Sequence, residues 1–223
     1  MKAGNAFYRN VGSLPRQVPI FPLAAALLLP GGRMPLNIFE PRYLAMIDAA
    51  LAGDRVIAMI QPRLDGALRG DGEPELCETG CLGRITSFTE TGDGRYIIAL
   101  EGVCRFRVME EAATKTPFRQ CRIAPFVHDL VEDQAASDLD RAALLKTFKA
   151  YLDANGLKAD WNNISRAENA TLVNALSMMS PYGAAEKQAL LDAPDLKTRA
   201  ETLIAITEMA LARDDDDTPP SLQ

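Results

Sequence analysis

Pro19-Ile20-Phe21-Pro22-Leu23, and then Pro35-Leu36-Asn37-Ile38-Phe39-Glu40-Pro41-Arg42-Tyr43, decide how this chain is read. The first is a short apolar run. Pro19 and Pro22 cannot donate ladder hydrogen bonds, which places such a strand at an edge or a bulge. In the second, Met34 to Phe39 is extended, and Pro41 suits the first position of a helix, where its missing N–H is no loss. Tyr43, Leu44, Ile47 and Leu51 then recur at helical spacing, and Gly53 is placed to end the helix as a C′ residue.

Outward from this stretch, Leu27-Leu28-Leu29 reads as one more short strand, with Gly31-Gly32 as a turn. Arg55 to Ile60 reads as a buried strand stopped by Pro62, and residues 63–75 as an exposed charged loop. Gly83 to Glu90 and Arg95 to Leu100 form a hairpin around Thr91-Gly92-Asp93-Gly94, since Asp-Gly supplies the positive φ such turns need. Val103 to Met109 alternates, with Val103, Arg105, Arg107 and Met109 on one face. Phe118 to Phe126 gives a last strand. Many short strands and one helix predict a small closed or half-closed barrel over residues 17–127. Residues 1–16 read as a flexible arm.

Beyond His128 the pattern turns helical, to residue 213. Ser137 or Asp138 is placed to cap a first helix ending near Asn155 and Gly156. Ser165 and Glu168 match a capping box, Ala184 to Leu191 a short helix, and Asp195 the cap of a last one. Residues 214–223 form an acidic, Pro-containing stretch that reads as disordered. The fold class expected is α+β: a barrel with one inserted helix, then a helical bundle.

The 223 residues are enough to bury a real core. The first 130 carry 15 Lys and Arg against 14 Asp and Glu, the remainder 9 against 16. No Lys/Arg cluster stands out, which argues against nucleic acid, whose binding rests on phosphate neutralisation. Val18 to Pro30 is too short and too broken by proline to span a bilayer. Four sparse cysteines suggest a reducing compartment, and the expected location is cytoplasmic, with no membrane partner.

Two blocks carry a family resemblance. Pro19-Ile20-Phe21-Pro22-Leu23 followed by Pro35-Leu36-Asn37-Ile38-Phe39-Glu40-Pro41-Arg42-Tyr43 resembles the opening of the N-terminal, substrate-binding domain of Lon proteases. Gly80-Cys81-Leu82-Gly83-Arg84-Ile85, Asp93-Gly94-Arg95-Tyr96 and Gly102-Val103-Cys104-Arg105-Phe106 resemble its Gly-x-x-Gly-x-Ile strand, hairpin and Gly-x-x-Arg-Phe strand. The resemblance covers the first 125 residues by motif and the rest by layout. It implies a PUA-like β-barrel followed by a helical bundle, and a role in binding unfolded or partner proteins and peptides, with a separate protease or chaperone as a further partner. A phosphate loop needs a Gly-Lys pair, and the sequence has none. The expectation is therefore a free-standing, non-catalytic relative without cofactors.

The candidate peptide site is Phe39, Glu40, Arg42 and Tyr43, an aromatic pair flanked by opposite charges. Its plainer reading is structural: Glu40 at the helix start, Arg42 paired with a carboxylate, and both rings in the core. Cys77 and Cys81 are too widely spaced for a usual zinc pair, and Cys104 and Cys121 fall within strands as small hydrophobes. His128 lacks a nucleophile partner and reads as a surface residue. Arg84, Arg95, Arg105 and Arg107 read as a solvated mixed face. RNA binding, known for PUA domains, is the alternative function.

Overall fold

In a computed structural model, residues 1–131, 139–158 and 160–216 are described, without the side chains of residues 162 and 214–216. The chain builds β1 (Lys2–Ala3), β2 (Ala6–Phe7), β3 (Gln17–Pro22), β4 (Arg33–Ile38), α1 (Pro41–Ala52), β5 (Val56–Pro62), β6 (Leu76–Glu90), β7 (Tyr96–Glu111) and β8 (Gln120–Pro125). The helices α2 (Arg141–Ala154), α3 (Trp161–Arg166), α4 (Asn169–Met179), α5 (Ala184–Asp192) and α6 (Leu196–Asp216) follow.

The strand order β7-β6-β5-β3-β8 closes on itself through a β7–β8 pairing, giving a five-stranded barrel. β4 lies outside this ring, on the first half of β7, with Arg33 opposite Glu101 and Ile38 opposite Tyr96. The β3–β5 pair is parallel. Parallel neighbours need a long crossover, and the segment carrying β4 and α1 supplies it. Pro19 and Pro22 sit in β3 where two short pairings meet: residues 17–19 pair with β8 and residues 20–22 with β5.

Two cores lie on opposite sides of the barrel wall. Val56, Ala58 and Ile60 of β5 point inward with Leu82, Cys104, Phe106 and Cys121. Ile57 and Met59 point outward, into a core shared with Met46 and Ile47 of α1 and Leu144, Phe148, Leu172 and Leu203 of the C-terminal helices. A strand buried on both faces reads as a continuous apolar run, and Val56 to Ile60 is one.

Several expectations need correction. Residues 1–16 are not loose: β1 and β2 form a hairpin, and Ala3, Tyr8 and Leu14 are buried in the barrel core. Leu27-Leu28-Leu29 is buried but forms no strand. Its backbone lies across β7, where Gly31 N donates to Gly102 O and Gly102 N to Gly32 O, each at 2.9 Å. Gly53 ends α1 but is not left-handed (φ −119°); the positive φ falls on Arg55 at 59°. The strand expected at Val103 is continuous with the one before it. There Leu82 pairs with Cys104 and Gly83 with Gly102, so Val103 is an extra, bulged residue. The bulge turns Val103 into the barrel beside Cys104.

The helical half follows the sequence with shifts at the ends. Asp140 caps α2, its carboxylate accepting from Ala143 N at 2.9 Å; Ser137 and Asp138 lie outside the described residues. Ser165 belongs to α3, while α4 opens after Glu168, whose side chain makes no cap bond. Asp195 caps α6 through Thr198 N at 2.8 Å. α6 runs to Asp216, so the backbone at 214–216 is helical rather than disordered; residues 217–223 lie outside the described residues. Among the described residues no helix is long and apolar enough to cross a membrane.

All four cysteines are free thiols, and all but Cys77 are buried. Burial pushes the Cys104 thiol up to about 12 and the Cys121 thiol to about 11. In the unfolded chain such thiols ionise near 8.5. The folded state then holds protons that the unfolded state has released, so this contribution to stability is complete below about pH 8.5 and is lost as pH rises toward 11–12. Melting temperature should fall above pH 9. A thiol-specific reagent at pH 8 should label Cys77 first and the other three only on unfolding, which a time course by mass spectrometry will read out.

Candidate functional site

The start of α1 meets two loops at one end of the barrel. The loop before β6 contributes Arg69 and Glu73; the end of β7 contributes Glu111, and the loop from it into β8 contributes Thr114, Thr116, Phe118 and Arg119 among others. Between them lies a cavity of about 290 Å³, with Arg42 and Tyr43 on its wall and Ile20, Pro22 and Phe118 as its apolar side.

Of the four candidate residues, the structure brings Arg42 and Tyr43 into this cavity. Arg42 Nε donates to Glu40 Oε2 at 3.1 Å and Nη1 to Glu73 Oε1 at 3.0 Å. Its guanidinium lies over the Tyr43 ring, 4.7 Å from the centroid. Burial lowers the affinity of Arg42 for its proton, but Tyr43, Glu40 and Glu73 together outweigh this and raise it. Tyr43 packs edge-on against Phe21 at 4.4 Å and is 8% exposed. Its phenol is pushed up by burial, and no hydrogen bond reaches it among the described residues.

Glu40 stands at the N-cap with no side-chain cap bond; its carboxylate is held by Arg42 instead. Phe39 is 60% exposed, and the ring partner of Tyr43 is Phe21, not Phe39. The aromatic pair expected from sequence is therefore not formed. Tyr43, on the inner face of α1, takes the core role, and Phe39, which precedes the helix, faces solvent.

Sequence reasoning missed the rest of the cavity. Arg119 makes a bidentate pair with Glu111, at 2.9 and 2.8 Å, and donates to Pro74 O at 2.7 Å. Arg69 bridges Asp71 at 2.8 Å and also reaches Glu111. Glu111 is held low despite burial, which alone would raise it, because Arg119 and Arg69 both hydrogen-bond to it. Nothing in the spacing of 69, 73, 111 and 119 links two loops so far apart in the chain.

A second polar cluster joins barrel to helices. Arg105 is not on a solvated face: its side chain is 2% exposed. Nε and Nη2 grip Asp129 at 2.9 and 2.8 Å, while Nη1 reaches Leu191 O at 3.1 Å and also Ala193 O. Nη2 further donates to Pro194 O at 3.1 Å. These carbonyls end α5, where a cation is favoured by the helix dipole. Burial opposes the charge on Arg105, and the Asp129 hydrogen bonds more than restore it. Arg199, whose Nε bonds Leu190 O at 2.9 Å, is pushed down to about 10 by burial and by Arg105. His128 lies at the surface, stacked on Phe126.

Beside this joint is a cleft of about 780 Å³, lined by Cys77, Arg107, His128 and Gln188 among others. The four arginines read as one face are dispersed. Arg84 donates to Tyr8 and to the Asp54 carbonyl, Arg95 pairs with Asp93, and Arg105 is buried. Among the described residues no cluster of His, Cys, Asp and Glu could hold a metal ion.

The family model described as the ATP-dependent protease La (LON) substrate-binding domain matches residues 17–208. The Lon protease of Parabacteroides distasonis is 29% identical over 209 residues, 90% of this chain and 24% of that protein. Lon protease 2 of Sorangium cellulosum is 27% identical over 201 residues, 85% of this chain and again 24% of the relative. The chain thus spans about a quarter of the length of these relatives. Among solved structures, a Lon N-terminal domain protein from Xanthomonas campestris superposes with a TM-score of 0.61 at 23% identity, covering 85% of this chain and 97% of that one. The N-terminal domain of a Mycobacterium avium complex Lon protease gives 0.63 at 19%, covering 86% and 98%. These two share the fold, an α+β barrel with its following helices, and with a family model spanning both halves of the molecule the chain belongs to the Lon substrate-binding domain family.

Proposed function

We propose that this chain is a recognition module that binds exposed segments of unfolded or partner proteins and performs no hydrolysis itself. The observation that carries this reading is the match of the substrate-binding domain model to residues 17–208. The geometry supports it. An open cavity at the start of α1 has an exposed aromatic side chain, Phe39, close by in sequence, and polar groups on three separate segments. Such a surface suits an extended chain better than a rigid small molecule. It acts in the cytoplasm, where four free thiols persist, and delivers bound chains to a protease or chaperone.

Hydrogen exchange tests this. With a permanently unfolded, carboxymethylated protein in excess, protection is expected in residues 39–43, 69–73 and 112–119. Phe39→Ala should weaken binding about fivefold or more, the range of an interface hot spot, with unchanged melting temperature. Protection spread evenly over the surface, or none, would count against the reading.

A further inference from the structure

The hairpin of β1 and β2 lies over a row of charge. Arg33 of β4, Glu101 of β7 and Arg84 of β6 stand side by side across three neighbouring strands. Opposite charges so placed normally attract and pair. Here they do not. Glu101 Oε2 accepts from Gly4 N at 3.0 Å, and among the described residues no ion pair joins it to either arginine. Arg84 is half-buried, and its guanidinium is fixed by neutral oxygens alone: Nη1 donates to the Tyr8 hydroxyl at 3.2 Å and to the Asp54 carbonyl at 2.9 Å. Nε and Nη2 are left free, and they form one edge of the fork that grips a carboxylate with two parallel N–H groups. At Gly4 a Cβ would stand 3.9 Å from Arg84 Nε, so the missing side chain leaves room along that edge. Lys2, opposite Phe7 on the outer side of the hairpin, and Arg55, next to Asp54, add two exposed cations. With Asp54 and Glu101 counted, the face holds four cations against two carboxylates, and none of the six is ion-paired among the described residues. The arginines of the cavity beside α1, by contrast, are all ion-paired.

We propose that this face docks an acidic segment of a bound polypeptide. One carboxylate takes the Nε–Nη2 edge of Arg84, and its neighbours lie against Arg33, Lys2 and Arg55. This rests on the protein-binding reading above and adds the charge of the segment that is taken, at residues separate from the cavity. An arginine already held in place by neutral oxygens has little freedom left to lose on binding. Nucleic acid fits the face less well. A single strand is bound along a basic groove with aromatic rings on which bases stack. Here the exposed ring of Phe7 already carries Lys2 Nζ, 5.5 Å from its centroid, and the chain as a whole has a net charge of −6.

The test uses the whole chain, ¹⁵N-labelled, titrated with an N-acetylated, C-terminally amidated octapeptide of alternating glutamate and serine. Its glutamine counterpart, a uridine pentanucleotide with the same four charges, and phosphatidylserine vesicles are the other probes. The acidic peptide should give saturable shifts at the amides of Gly4, Arg33, Arg84 and Glu101, in the millimolar range or tighter at low salt. Its affinity should fall several-fold as ionic strength rises from about 0.02 to about 0.2 M, and the glutamine peptide should bind at least about tenfold more weakly. Arg84→Gln should weaken the acidic peptide about tenfold, and Arg84→Lys, which keeps the charge but not the fork, should recover only part of the loss. Arg33→Gln, at an exposed and unpaired position, should weaken it about threefold with an unchanged melting temperature, and Arg166→Gln in α3 should change nothing. Equal binding of the glutamate and glutamine peptides, no saturable shift, shifts centred elsewhere, indifference to both Arg33→Gln and Arg84→Gln, or tighter binding of the nucleotide or the vesicles would each overturn the acidic-segment assignment. If unfolded protein still binds in those cases, the substrate-binding reading stands without it.

Discussion

Arg105→Met should lower stability by about 3–5 kcal/mol, the cost of leaving one partner of a buried ion pair behind. The melting temperature should fall roughly 6–20 °C for a chain of this size. Methionine fills much of the same volume, so the loss is not one of packing. It strands Asp129, whose side chain is 7% exposed, together with the carbonyls of Leu191, Ala193 and Pro194. The backbone N of Arg105 also donates to Asp129 at 2.8 Å, which keeps the carboxylate buried after the substitution. Removing the acid as well, in Arg105→Met with Asp129→Asn, should recover part of the loss, because the charge is then gone from both sides. Chemical denaturation of the four corners of this cycle gives the coupling. A single variant within 1 kcal/mol of the parent would mean that the joint between barrel and helices is held by its apolar core alone.

Gly102→Ala should cost about 3 kcal/mol, the upper end of the range for overpacking. A Cβ built at Gly102 would collide with the carbonyl oxygen of Leu29. That atom belongs to backbone, and it cannot swing aside as a side chain can. The same crossing carries the reciprocal hydrogen bonds of Gly102 with Gly31 and Gly32. Opening it would therefore also expose paired backbone groups. Gly70→Ala is the control: nothing lies within 4 Å of a Cβ there, and the change should stay within about 0.5 kcal/mol. Parallel melting curves of the two variants separate a local clash from a general cost of replacing glycine.

These two sites show what the sequence makes legible and what it does not. Gly102 and Arg105 stood out within one motif, yet alternation alone put Arg105 on a solvated face. The alternation after Val103 is correct, with Cys104 and Phe106 in the barrel and Arg105 outside it. What covers that outer face is the end of α5, more than 80 residues later in the chain, and no local pattern encodes a contact of that separation. The inserted helix was legible for the opposite reason. Pro41, the stripe through Ile47 and the stop at Gly53 are all local signals, and the helix forms where they place it. Leu27 to Leu29 looked like a strand because apolar runs read alike whether a ladder or a crossing loop buries them.

The candidate site was legible in half. Arg42 and Tyr43 line the cavity; Glu40 orients Arg42 from outside it, and Phe39 is exposed. Arg69 and Glu73 complete it from a loop that read only as charged and exposed, Glu111 from the end of β7, and Arg119 from the start of the stretch read as the last strand. Their partners are each other, across separations that exceed any motif.

The measurement that tests substrate recognition most directly is equilibrium binding of one fluorescently labelled polypeptide in two states, folded and permanently unfolded, by anisotropy with the intact chain. Saturable binding of the unfolded form, competed by unlabelled unfolded protein and weakened by Phe39→Ala, is the expected result. Equal binding of both forms, or none of either while the melting temperature shows the fold intact, would contradict a substrate-binding role for this chain.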